Sequence, residues 1–175
     1  MTKILVAYAS RHESTAEIAE AIGTALRIFP TLTVHVQSVD LVGDITPYDA
    51  VVVGSAVYAG QWQASAVNFV KHNEQKLTQR PVWLFSSGPT GEGDPKTLLK
   101  GWALPDVLAA AVAQIQPRDI AIFHGKMDVD DMNFLERAMI KMVKAPTGDF
   151  RDWDMIRAWA NGIAETLTAS QPILG

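Results

Sequence analysis

The chain opens on a mostly apolar run, Lys3 to Ala9, followed at once by polar residues from Ser10 to Thr15 and then by apolar positions at Ile18, Ile22 and Leu26. An unbroken apolar run predicts a strand buried on both faces, and a stripe with a period of about 3.6 residues predicts an amphipathic helix. The first strand therefore passes through a tight loop straight into a helix spanning about Ser14 to Arg27. Ala19 and Ala25 are small enough to let that helix lie close to a sheet. Ser14 and Glu17 have the spacing of a capping box, which fixes the helix start at the end of the loop.

The same kind of pattern recurs along the chain. Thr33 to Ser38 alternates polar and apolar, as a strand near a sheet edge does, and the β-branched run Ala50 to Gly54 predicts a third strand. Pro81 to Ser86 and Ile120 to His124 predict the fourth and fifth. Ser55 to Gln63 reads as a loop carrying Tyr58, Gly60 and Trp62, followed by a helix with Ala66, Phe69, Val70 and Leu77 on its buried side. Glycine and proline exclude regular structure from Ser87 to Pro95. A short helix is expected from Val107 to Ile115, a loop from Gly125 to Asp131, and two closing helices from Phe134 to Lys144 and Asp152 to Leu167. Strands alternating with helices predict an α/β fold, a doubly wound five-stranded parallel sheet in one domain over residues 1–175.

Composition narrows the function classes. A chain of 175 residues with 48% hydrophobic content has core enough for one ordinary domain. The absence of cysteine excludes disulfides, thiolate metal sites and thiol catalysis. A net charge of −4 argues against a nucleic-acid partner. With no long apolar run and no leader pattern at the N-terminus, a cytoplasmic protein is expected.

In a doubly wound sheet, ligands bind beyond the carboxyl ends of the strands where the strand order reverses. The Ser10 loop offers backbone N–H groups, the hydroxyls of Ser10, Ser14 and Thr15, and the positive end of a helix, which together suit a phosphate. Tyr58 offers a flat face to a ring, whereas Trp62 is open between ring contact and core. Glycines after the fourth strand permit close backbone approach to a ligand.

Ser10-Arg-His-Glu-Ser-Thr15 resembles the phosphate loop of the flavodoxins, Ser/Thr-x-Thr-Gly-x-Thr. It is more similar still to the Thr-Arg-Asp-Gly-Gln-Thr loop of the menaquinone-dependent protoporphyrinogen oxidases, a flavodoxin-like family. The resemblance continues at Gly54-Ser-Ala-Val-Tyr-Ala-Gly60 and at Phe134-Leu-Glu-Arg-Ala-Met-Ile-Lys141. It implies the strand order 2-1-3-4-5 and an FMN cofactor. It would place Ser10, Arg11, His12, Glu13, Ser14 and Thr15 at the flavin phosphate. Ala56, Val57, Tyr58 and Ala59 would meet the ring from one loop, and Ser87, Gly88, Pro89, Thr90 and Gly91 from another. Glu13 stands where both families have glycine; if that position takes φ > 0, a glutamate there stores about 1–2 kcal/mol of strain.

The resemblance implies an FMN-dependent oxidoreductase acting on a protoporphyrinogen-type substrate with a quinone acceptor. Two alternatives stand beside it. One is a simple electron carrier docking on a redox partner through Glu92, Asp94, Asp128, Asp130 and Asp131; the other is a module without flavin, to which Glu13 points. Flavin chemistry needs no protein nucleophile or metal, so no catalytic residue is expected. Asp128, Asp130 and Asp131 lack the spacing of a calcium loop and read as a solvated turn. Arg137, Lys141 and Lys144 form one basic helix face, for which the resemblance leaves membrane contact open. Periodicity alone predicts that this helix lays its methionines on the sheet and keeps its cations in water.

Overall fold

The computed structural model describes residues 1–169. Five long strands, β1 (Thr2–Ala9), β2 (Leu32–Ser38), β3 (Ala50–Tyr58), β4 (Val82–Ser87) and β5 (Asp119–Phe123), form one parallel sheet in the order 2-1-3-4-5. The register runs without interruption from Ile4↔Val34 through Ile4↔Ala50 and Val51↔Val82 to Leu84↔Ile120. Because successive side chains in a strand point to opposite faces, the apolar run of β1 feeds two cores. Ile4 and Val6 pack with Phe85 and Phe123 under α1 (Ser14–Arg27), while Leu5 and Ala7 pack with Val53 and Leu84 under α2 (Ala64–His72). α3 (Ala109–Ile115) completes the second layer; α4 (Phe134–Val143) lies outside both cores; α5 (Trp153–Ala169) completes the first layer beside α1.

Several expectations change in detail. Ser14 is not a capping residue. Glu13 is the N-cap, in the left-handed region at φ 63°, with no side-chain capping bond. Glu17 pairs with Arg151, which also donates to the Ser14 carbonyl. The reciprocal capping box occurs instead at α4, between Asn133 and Glu136. The stretch from Ser55 is not a loop, since β3 continues to Tyr58 and turns back through a two-residue hairpin to Gln61–Trp62. Both turn residues, Ala59 and Gly60, have positive φ, as a type I′ turn requires. The helix expected through Leu77 breaks at Asn73, whose side chain donates to the Phe69 carbonyl, and a separate turn, Glu74–Leu77, follows.

The largest departure is α4, which buries none of its residues against the sheet. It belongs to an excursion between β5 and α5, tied off by short antiparallel pairing of Lys126–Met127 with Gly148–Asp149. Arg151 clasps this excursion to α1. Its guanidinium, only 4% exposed, donates two bonds to Asp149, one to Glu17 and one to the Ser14 carbonyl, and lies 4.6 Å from the Trp153 ring. The Arg151 hydrogen bonds hold the Asp149 carboxyl below its ordinary range.

Candidate functional site

The carboxyl ends of β1, β3, β4 and β5 open into one cavity of about 370 Å³. Ser10, Arg11, His12, Ser14 and Thr15 line it from the first loop, Ala56, Val57, Tyr58 and Ala59 from the hairpin, and Ser87 and Gly88 from the end of β4. The structure thus brings together eleven of the fifteen residues expected at the site. Glu13, Pro89, Thr90 and Gly91 do not line this cavity, and Glu13 faces a neighbouring groove with Glu17, Lys126 and Asp131. The segment after Gly88 is drawn back by His124: its Nδ1 lies 3.0 Å from the Pro89 carbonyl and its Nε2 2.6 Å from that of Gly93.

The first loop is built to receive an anion. Its turn is held by the Ser14 N–H donating to the His12 carbonyl at 2.7 Å. Among the described residues, the backbone N–H groups of Arg11, His12 and Glu13 have no partner. The Ser10 hydroxyl and the His12 Nε2 are buried without a hydrogen bond. A buried hydroxyl left unpaired costs about 1–3 kcal/mol, so a ligand oxygen that pairs with Ser10 recovers that cost. The donor set fits a phosphate ester.

Close backbone approach continues along the strand ends. A Cβ at Gly88 would lie 3.0 Å from the Val57 Cβ, and one at Gly125 would lie 3.1 Å from the Gly88 carbonyl oxygen. Glycine at both positions lets these backbones lie close together in a ledge beside Tyr58. The half-buried Tyr58 ring has the Arg11 guanidinium 5.3 Å from its centroid and the edge of His12 at 6.5 Å. Burial raises its phenol pKa, and Arg11 opposes the shift. Trp62 is core: it is buried, and its indole donates to Ser86 Oγ at 2.8 Å. The ledge and the Tyr58 hairpin fit a planar ring as the first loop fits its phosphate.

The opposite wall was not anticipated. Glu136, Met139, Ile140 and Val143 of α4 line the cavity at intervals of three and four residues, joined by Met127, Met132 and Ala145. The apolar stripe of α4 faces this cavity rather than the sheet. Glu136 is the polar member of that stripe. Its Oε2 accepts from the Asn133 N–H at 3.0 Å, while its Oε1 meets the Arg11 guanidinium and lies 3.5 Å from His12 Nε2. The Asn133 N–H, then Arg11 and His12, hold the Glu136 carboxyl below its ordinary range. No spacing in the sequence links Glu136 to a loop more than a hundred residues earlier.

The left-handed backbone of Glu13 is present in the folded loop, so the strain belongs to the fold rather than to ligand binding. Its side chain is exposed, which screens its charge. Glu13→Gly is expected to raise stability by about 0.5–1 kcal/mol, since relieved strain is partly offset by the entropy of glycine. FMN affinity should change by less than about threefold. Thermal melts and a fluorescence titration check both; a large gain in affinity without added stability would place the Glu13 carboxylate at the phosphate.

Comparisons with known proteins agree with this geometry. The flavodoxin domain family matches residues 5–154. The chain is 24% identical over 140 residues to a protoporphyrinogen IX dehydrogenase [quinone] of Leishmania major, covering 73% of this chain and 59% of that protein. Among solved structures, an archaeal flavodoxin has a TM-score of 0.63 at 16% identity, covering 95% of this chain and 99% of its own. The rubredoxin oxygen:oxidoreductase of Desulfovibrio gigas has a TM-score of 0.64 at 15% identity, covering 97% of this chain and 37% of its own.

Proposed function

Since the chain belongs to the flavodoxin domain family, an FMN-binding redox family, we propose that it is an FMN-dependent oxidoreductase passing electrons from a protoporphyrinogen-type substrate to a quinone. The observation that carries this reading is the apolar wall of Met127, Met132, Met139, Ile140 and Val143, which lines the same cavity as the Tyr58 hairpin. An electron carrier that docks by its flavin edge needs no such wall, whereas a flat apolar reactant does. The substrate class also follows the Leishmania relative, of which the chain spans 59%.

The residues divide the work. Ser10, Ser14, Thr15 and the N–H groups of Arg11 and His12 would hold the phosphate, with Arg11 supplying positive charge. Tyr58, Val57 and Ala59 would support one face of the ring, and the backbone at Ser87 and Gly88 would meet its edge. When bound, FMN supplies a two-electron carrier that the protein itself lacks. The methionine wall would present an apolar surface to the reactant. Each turnover takes two electrons and two protons from the substrate, and one quinone takes up two of each to become a quinol; carrying a porphyrinogen through to a porphyrin removes six of each and so consumes three quinones.

One further observation favours contact with a membrane surface, where such a quinone resides. Phe134 and Met142 on the outer side of α4 are 84% and 83% exposed, beside Arg137, Lys141 and Lys144. An apolar stripe flanked by cations suits a helix lying in the headgroup layer. Among the described residues, no helix is long and apolar enough to cross a membrane. The chemically reduced holoprotein is expected to be reoxidised anaerobically by a lipophilic naphthoquinone held in anionic vesicles, and to sediment with them. Quinone reduction no faster than that by free FMN would overturn the reading.

A further inference from the structure

The first loop already holds an anion. Glu136 lies more than a hundred residues from that loop in sequence, yet its Oε1 sits against Arg11 and His12, two of the residues with which the loop lines the cavity. The two carboxylate oxygens do different work. Oε2 closes the capping box of α4 on the Asn133 N–H, whereas Oε1 is buried and engages only the Arg11 and His12 side chains of the loop. The same helix turns Met139, Ile140 and Val143 into the cavity, so the ion pair also keeps the apolar wall in place.

We propose that Glu136 sets how strongly this site discriminates phosphorylated from unphosphorylated flavin, because its carboxylate is an internal stand-in for the phosphate that a bound nucleotide must displace. This rests on the flavin reading of the cleft. A phosphate dianion and the Glu136 carboxylate compete for the same guanidinium, and charge-assisted hydrogen bonds to one group are lost to the other. Riboflavin, with no phosphate, leaves the latch undisturbed. Displacement frees α4 from the loop, and the excursion is then held at its base by the short pairing of Lys126–Met127 with Gly148–Asp149 and by the Arg151 clasp.

Glu136→Gln isolates this role. A glutamine still accepts from the Asn133 N–H, so the capping box survives, but its amide carries no charge to compete with phosphate. Titrations of FMN and riboflavin against the parent and this variant, followed by flavin fluorescence, provide the first readout. FMN should bind the variant at least about tenfold more tightly, with riboflavin affinity changed by less than about twofold. Trypsin cleavage at Arg137, Lys141 and Lys144 provides the second. FMN should accelerate it in the parent, riboflavin should not, and the variant should be cleaved faster than the parent without ligand. An unchanged ratio of FMN to riboflavin affinity overturns the proposal, as does equal cleavage with the two ligands. Flavin bound by neither protein would overturn both this proposal and the flavin reading beneath it.

Discussion

Gly54→Ala should destabilise the protein by about 3 kcal/mol, the upper part of the usual overpacking range. Gly54 pairs with Tyr8 on one side and Phe85 on the other, in the middle of the sheet. A Cβ at this position would lie 2.0 Å from Phe85 Cζ, with two further ring carbons within 2.3 Å. The ring has nowhere to go. It is fully buried, with Phe123 5.8 Å and Trp159 6.2 Å away between centroids, and the indole of Trp159 is itself held by Asp119. In a domain of this size the melting temperature should fall by roughly 6–12 °C. Phe85→Leu in the same background should recover part of the loss, giving a coupling energy of about 1 kcal/mol or more. Additive losses would mean that the clash is relieved elsewhere, most directly by a shift of β3.

Tyr58→Ala is the largest effect expected on binding, a loss of FMN affinity of about 1–3 kcal/mol, or roughly five- to 150-fold. Two contributions have the same sign. The ring gives up apolar area and stacking against a planar ligand. It also stops supporting Arg11, whose guanidinium lies 5.3 Å from its centroid and would supply positive charge to the phosphate. Tyr58→Phe keeps both and should stay within about threefold of the parent, which separates the ring from its hydroxyl. Fluorescence titration measures these affinities directly. Unchanged affinity in Tyr58→Ala would return the residue to the ordinary surface.

The sheet was legible because burial on both faces leaves long apolar runs, and β1, β3 and β4 announce themselves in that way. Their order came from the family resemblance rather than from the pattern. The hairpin after Tyr58 is not legible in the sequence because Ala59 carries no turn signal; only its positive φ reveals the turn. Ser14 and Glu17 had the spacing of a capping box, but spacing does not show that Arg151, far along the chain, takes Glu17 instead. The same blindness hid Glu136. Periodicity identified an apolar stripe on α4 without saying what it faces, and a sheet was the ordinary guess. The stripe lines the cavity because the excursion after β5 carries α4 across the strand ends.

The measurement closest to the centre of the account is the visible spectrum of the purified protein after saturation with FMN and removal of free ligand. The account predicts the absorption bands of an oxidised flavin in stoichiometric amount, shifted from those of free FMN by the apolar surroundings of Tyr58 and the methionine wall. A colourless protein that leaves FMN fluorescence unchanged would contradict it, and would make the unpaired donors of the Ser10 loop the site of some other anion.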